Sequence, residues 1–169
     1  MKADELRALQ APIKTRYRDN PAAAKVTLTS RGRLGEGVSC NVDTARRVVE
    51  AGLHPATGGT GLQACSGDML LDALAACAGV TMRAVTTALE IPVREGTVTV
   101  EGDLDFRGTL GVDKEAPVGF SEIRLRFDLD SDATDEQVAT LQKLVPRYCV
   151  VYQSLRVTPK LVIARAGNR

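Results

Sequence analysis

The sequence predicts a single α+β domain with a short basic arm in front of it, and three observations carry that prediction. The first is the order of periodicities. Apolar residues alternate in some stretches and recur at helical spacing in others, giving β-β-α-β-β-α-α-β, an interleaved order that suits α+β packing. The second is size and composition: 169 residues, 44% hydrophobic and 25% charged, are right for one globular core, and no repeat, linker or low-complexity tract divides the chain. The third is the break near the N-terminus, where Pro12 and Pro21 bracket the basic run Lys14-Thr15-Arg16-Tyr17-Arg18. Residues 1–24 are therefore read as an arm and 25–169 as the domain.

In chain order, Asp4 to Leu9 can form a short helix before the prolines. Lys25 to Ser30 alternates as a strand, Arg31-Gly32-Arg33-Leu34-Gly35 reads as a hairpin turn, and Gly37 to Val42 as the returning strand. Asn41 to Ala51 fits either strand or helix, and Pro55 to Gly61 is a loop. Ser66 is placed to N-cap a helix that runs to about Leu89, with Asp68 in its first turn and Leu70, Leu71, Leu74, Cys77, Val80, Thr81 and Val85 at helical spacing. Its middle, Ala73 to Gly79, is small and apolar on too many sides for a surface helix, so it is expected to be buried against another helix. Thr97 to Arg107 and Phe120 to Leu129 form a long antiparallel hairpin. Thr134 and Gln137 make a capping box that opens a helix to about Leu144, Pro146 starts a short helix to about Leu155, and Val157 to Ala164 closes the chain as a strand.

Charge and composition narrow the function. The 22 basic residues nearly balance the 21 acids, so no basic excess points to nucleic acid as a partner. The longest apolar stretch, Met69 to Val80, is interrupted by Asp72 and is shorter than the roughly 20 residues that cross a bilayer. No membrane partner is expected. The charged N-terminus lacks the apolar core of a signal peptide, so a cytoplasmic location with reduced thiols is expected. Four cysteines, Cys40, Cys65, Cys77 and Cys149, form no C-x-x-C pair, and the one histidine, His54, leaves little for zinc.

Two cysteine motifs then stand out. Asp68-Met69-Leu70-Leu71-Asp72-Ala73-Leu74-Ala75-Ala76-Cys77 lies on the central helix, and Tyr148-Cys149-Val150-Val151 on a short helix that follows the hairpin. With the strand order from Lys25 to Ala164, they resemble the OsmC/Ohr family. The resemblance implies an intertwined homodimer, with antiparallel sheets from both chains around two central helices. It implies a thiol-dependent peroxidase that reduces organic hydroperoxides, often with a lipoyl-type dithiol as reductant. Cys77 would be the attacking thiol and Cys149 the resolving thiol. Asp68 stands where the family commonly has glutamate, and Val150 where a proline often follows the second cysteine. Relatives place an active-site arginine near the first hairpin turn, where Arg31 and Arg33 lie, or in the next segment, where Arg46 and Arg47 lie; Arg33 is taken as the candidate.

Physical chemistry gives these roles content. A thiolate attacks the peroxide bond, releases alcohol and becomes a sulfenic acid, which a second thiol condenses to a disulfide before further oxidation. No metal, flavin or other cofactor is required, because sulfur carries the electrons. Cys77 sits too deep in its helix for that helix's dipole to help, so a cation is expected beside it, while Cys149, in the first turn of a short helix, is expected to have its thiolate favoured. Asp68 and Cys77, nine positions apart, fall on opposite faces and about 14 Å apart along the axis. Asp68 can therefore serve only a partner subunit's site, or is simply a helix N-terminal acid.

Other features have structural readings. Cys40 reads as a small buried strand residue, and His54 as structural. Gly58-Gly59-Thr60-Gly61 reads as a turn or lid edge. Cys65, just before the central helix, reads as structural or as a third redox thiol. Two alternatives to the peroxidase remain: a family-fold protein that binds an apolar small molecule at the subunit interface, and a redox sensor that uses Cys65.

Overall fold

Residues 2–20, 31–34, 39–43, 48–111 and 113–166 are described by the structure, a computed structural model. The chain begins with helix α1 (Ala3–Asp19), which continues through Pro12, where the sequence predicts a break. Proline removes the donor to the carbonyl four residues earlier. That carbonyl belongs to exposed Ala8, where water can replace the donor. Strand β1 (Arg31–Leu34) occupies the segment read as a hairpin turn and pairs antiparallel with β2 (Ser39–Asp43). The predicted strand Lys25 to Ser30 lies outside the described residues. Strand β3 (Val48–Gly52) settles the ambiguous stretch as strand and pairs antiparallel with β2.

A 3-10 turn, Pro55–Thr57, follows, with His54 as its N-cap. The His54 Nδ1 accepts the Ala56 N–H at 3.0 Å, and the ring stacks on Phe106 with centroids 4.9 Å apart, so this histidine is structural. The turn ends on Gly58 at φ 92°, left-handed backbone that glycine adopts without a Cβ clash. Strand β4 (Ala64–Cys65) pairs parallel with β3 and completes a sheet of order β1-β2-β3-β4. Helix α2 (Ser66–Ala88) starts directly from it, so Cys65, rather than Ser66, is the N-cap.

The second sheet is built from β5 (Glu95–Asp103), β6 (Glu122–Asp130) and β7 (Lys160–Ala166), with the single-turn helix α3 (Phe106–Thr109) in the β5–β6 connection. Strands β5 and β6 are the expected antiparallel hairpin, and β7 joins β6 in parallel. Alternation explains the register. Ile123, Leu125, Phe127 and Leu129 are buried on one face, while Arg124, Arg126, Asp128 and Asp130 line the other. On that outer face, Arg124 pairs with Asp103 at 2.6 Å and Glu101 at 3.1 Å, and Lys160 with Glu122 at 2.5 Å. These exposed cross-strand pairs favour the register more than they add stability.

Between β6 and β7 run α4 (Asp135–Tyr148) and α5 (Val150–Ser154). The capping box forms as the sequence predicts: Gln137 N–H donates to Thr134 Oγ1 at 3.3 Å, and Thr134 N–H to Gln137 Oε1 at 2.8 Å. Pro146 lies inside the last turn of α4 rather than opening a new helix, and the break falls at Cys149. Helix α2 is the centre of the core. Leu74, Ala78, Met82 and Val85 are buried in one cluster with Leu125, Phe127, Leu141 and Val145. By length and composition α2 is apolar enough to cross a membrane, which counting only Met69 to Val80 does not reveal. In the folded chain one side packs against β5, α4 and α5. The other side leaves Leu70 and Val80 exposed, Val80 at 72%. Burial of the helix middle against a second helix is thus not met on this side within one chain.

Candidate active site

Two helix boundaries build the site. Cys77 sits in the middle of α2, half-buried at the edge of the packed face, one turn after fully buried Leu74 and one turn before buried Thr81. Cys149 is fully buried and is both the C-cap of α4 and the N-cap of α5. Its backbone is extended, with φ −77° and ψ 108°, so the chain turns sharply there. Its N–H still reaches back to Val145 O at 3.0 Å, while its own carbonyl accepts the Gln153 N–H at 3.0 Å. The Cys149 sulfur accepts the Tyr152 N–H at 3.5 Å, taking the place an oxygen cap would occupy. The Tyr152 hydroxyl donates to Pro159 O at 2.7 Å and pins α5 to the loop that leads into β7.

This geometry packs the two thiols beside each other and splits their acidities. Burial alone would push the Cys77 thiol up. The N–H of Val151, the Cys149 thiol and the N–H of Val150 outweigh it, with a smaller part from Thr81, and hold Cys77 below the usual thiol value. The Thr81 hydroxyl also donates to the Cys77 carbonyl at 2.8 Å. Cys149 moves the other way: burial raises its thiol, the Tyr152 N–H opposes this, and the adjacent Cys77 sulfur adds to the rise. Tyr152 is also held above the usual phenol value by burial and by the Cys149 sulfur. Over one pH range the pair therefore holds a thiolate at Cys77 and a thiol at Cys149. That is the protonation state in which one sulfur attacks and its neighbour later condenses with it.

Backbone amides at the start of α5 favour the thiolate of Cys77, while the side chain of Arg33, the candidate cation, lies outside the described residues. One expectation changes here. The thiolate those amides favour is Cys77 of the neighbouring helix, whereas burial disfavours that of Cys149. Of the other proposed site residues, Asp68 is not brought to the pair within one chain. Asp68 is exposed in the first turn of α2, about 14 Å along the axis from Cys77, and makes no hydrogen bond or ion pair among the described residues. Arg33 lies on β1, and its side chain, like those of Arg31 and Cys40, is outside the described part; Arg46 and Arg47 lie outside it altogether. Cys65 is about 18 Å along the axis from Cys77 and faces a separate cavity of about 360 Å³ beside His54 and Phe106.

Sequence reasoning misses Val150, Val151 and Tyr152, because their contribution is made by main-chain N–H groups. The available signal was the cap itself: a helix opened after Cys149 aims its first amides at whatever packs against it. Among the described residues no group of three or more His, Cys, Asp or Glu side chains is arranged to hold a metal. An apolar cleft of about 610 Å³, with Leu70, Phe120 and Leu155 in its walls and Arg156 at its rim, adjoins α2 two turns before Cys77.

The family of this architecture can be tested against known proteins. A comparison with curated protein sequences finds no match. Among solved structures, an OsmC-like protein from Mycoplasma pneumoniae aligns over 86% of this chain and 99% of its own, with TM-score 0.67 and 18% identity. The organic hydroperoxide resistance protein OsmC from Legionella pneumophila aligns over 84% and 99%, with TM-score 0.64 and 16% identity. An organic hydroperoxide resistance protein from Elizabethkingia anophelis aligns over 85% and 99%, with TM-score 0.64 and 18% identity. These likenesses establish the fold. The model of the OsmC-like protein family matches residues 59–164, from the loop before β4 through most of β7, and with the fold this makes the chain a member of the OsmC-like family.

Proposed function

We infer that the protein is a thiol-dependent peroxidase that reduces organic hydroperoxides through Cys77 and Cys149. The observation that carries the reading is the contact between a thiol held below its usual value and a buried thiol held above it. The Cys77 thiolate attacks the outer peroxide oxygen, the O–O bond breaks, and the alkoxide leaves with a proton as alcohol. The resulting sulfenic acid condenses with the Cys149 thiol, releasing water and forming a disulfide. A dithiol, of lipoyl type by family likeness, returns two electrons and two protons. Relatives of this fold named organic hydroperoxide resistance proteins support the substrate class.

The working unit is a homodimer in a reducing cytoplasm. The outward side of α2, with Ala73, Ala76 and Val80, is small, apolar and exposed among the described residues, which suits a second α2 lying against it. Asp68 and Arg33 would complete the site of the partner subunit. The test is one equivalent of cumene hydroperoxide added to reduced protein, followed by intact mass and peptide mapping. Rapid loss of two hydrogens per chain with a Cys77–Cys149 bridge is expected. Survival of every thiol in excess peroxide would overturn the peroxidase reading and leave a binding protein of this fold. A bridge that excludes Cys149 and includes Cys65 would indicate the redox sensor.

A further inference from the structure

Helix α5 has five residues, Val150–Ser154, too few to hold its shape or its place by its own hydrogen bonds. Its position is nevertheless what the Cys77 sulfur depends on, since the N–H groups of Val150 and Val151 at its start are aimed there. Few bonds fasten it. Cys149 N–H and Gln153 Nε2 tie it to α4, at Val145 O (3.0 Å) and Pro146 O (3.0 Å), while Ser154 Oγ bonds Val150 O at 2.8 Å, inside the helix. Among the described residues one hydrogen bond reaches from α5 to the side of the sheet, from the Tyr152 hydroxyl to Pro159 O at 2.7 Å. Pro159 is buried and leads directly into β7, whose first residue, Lys160, pairs with Arg124 of β6. Tyr152 also presents its own N–H to the Cys149 sulfur at 3.5 Å.

We propose that Tyr152 is a positioning residue for the thiol pair: its hydroxyl, anchored on Pro159 O, sets how α5 lies across α2 and so keeps the Val150 and Val151 amides on the Cys77 sulfur. This rests on the peroxidase reading for its use and adds to it a residue that acts through α5 rather than on the peroxide. The hold of an N–H on an acceptor weakens steeply with angle and distance, so a small rotation of a one-turn helix is felt at the sulfur. The hydroxyl is also suited to a lasting anchor. Burial and the Cys149 sulfur hold it above the usual phenol value, whereas Cys77 lies below the usual thiol value, so Tyr152 remains a proton donor while Cys77 ionises. The titratable groups in contact here are Cys77, Cys149 and Tyr152 themselves. The nearest charged residues along the two helices packed against α5, Asp72 and Arg83 of α2 and Lys143 and Arg147 of α4, are exposed. The Tyr152 ring packs on the core separately from its hydroxyl, so Tyr152→Phe removes the anchor and keeps the packing.

The test measures the pH midpoint of iodoacetamide alkylation at Cys77, by peptide mass analysis, in reduced full-length protein. Tyr152→Phe should raise that midpoint by about half a unit or more. Ser131→Ala should leave it unchanged: it deletes a buried bond of the same kind, from the Ser131 hydroxyl to Pro92 O, at the opposite end of β6. A midpoint unmoved in Tyr152→Phe overturns the proposal. So does an equal rise in Ser131→Ala, which would reveal general loosening. Loss of the folded circular dichroism spectrum in Tyr152→Phe overturns it as well, since the hydroxyl would then hold the domain rather than α5. In single turnover with cumene hydroperoxide below the midpoint, Tyr152→Phe should form the Cys77–Cys149 bridge about threefold more slowly, the fall in thiolate that half a unit brings. A raised midpoint with an unchanged rate overturns the part of Tyr152 in peroxide reduction. Failure of the peroxidase reading is separable: if wild type forms no bridge, the alkylation midpoints, which need no peroxide, still decide whether Tyr152 positions α5.

Discussion

Cys65 is the N-cap of α2 and Cys77 lies in the helix middle, and the two thiols meet different surroundings. The Cys65 side chain makes no capping hydrogen bond and faces the cavity beside His54 and Phe106. Cys77 is three turns inside, where α2 has no free amide to offer. Its sulfur is instead met by the amides of a second helix, α5, laid across it by the break at Cys149. A thiol's acidity is thus set by which helix end points at it in space, and the residue that sets it need not be a charge or even a side chain.

The sharpest way to break this comparison is to remove each sulfur in turn. Cys77→Ser is expected to abolish hydroperoxide consumption measured by a ferrous-oxidation assay with excess dithiol, whereas Cys65→Ser should retain the wild-type rate within about twofold. Comparable losses in both would mean that the end of α2 near Cys65, rather than the α2–α5 contact, carries the chemistry.

The two sides of α2 offer a second contrast, in stability. Leu74 is fully buried against the β5–β6 hairpin and α4. Leu74→Ala should cost about 3 kcal/mol in denaturant unfolding, from lost transfer energy and the cavity left behind. Val80, on the uncovered side, has little packing within the chain to lose. Val80→Glu should leave the chain folded but shift sedimentation from dimer toward monomer. A dimer unchanged by the charge would place the second copy elsewhere.

A third contrast, between the paired thiols, is expected in pH dependence. The folded value of Cys77 lies below that of an unfolded thiol, so its contribution to stability is complete above the unfolded value and is lost as pH falls through the folded one. For Cys149 the order is reversed: its contribution is present below the unfolded value and is lost as pH rises through the folded one. Alkylation by iodoacetamide, followed by peptide mass analysis, should reach half its maximal rate at lower pH for Cys77 than for Cys149. Equal midpoints would remove the basis for assigning attacker and resolver.

The parts of the molecule legible in the sequence are those where local and tertiary preferences agree. Strands β5 and β6 alternate without interruption, and Thr134 and Gln137 can satisfy each other wherever that helix lies. The misreadings fall where partners override local chemistry. Gly32 between two arginines reads as a turn, but β2 supplies the pairing that makes residues 31–34 a strand. Pro146 reads as a helix start, but the carbonyl its ring leaves unpaired belongs to exposed Gln142, so α4 runs on to Tyr148. In the site, the sequence names both cysteines, since their chemistry is in their side chains. It hides the amides of Val150 and Val151, whose effect depends on a crossing of two helices remote in sequence.

The smallest expected effect contrasts the two ends of α2 themselves. The start is closed by β4 and an uncapped cysteine, whereas the end is a fully formed left-handed cap. Ile91 N–H bonds Thr86 O at 2.9 Å and Glu90 N–H bonds Thr87 O at 3.3 Å, with Glu90 held at φ 55°. That backbone region costs an L-residue with a side chain about 1 kcal/mol, and glycine adopts it freely. Glu90 gains little in return, since its ion pair with Arg7 is exposed. Glu90→Gly should therefore raise the unfolding free energy by about 0.5 kcal/mol, the relief at φ 55° being partly offset by the greater freedom of glycine in the unfolded chain. A loss of stability instead would show that the Arg7–Glu90 contact holds α1 on the core more firmly than its exposure suggests.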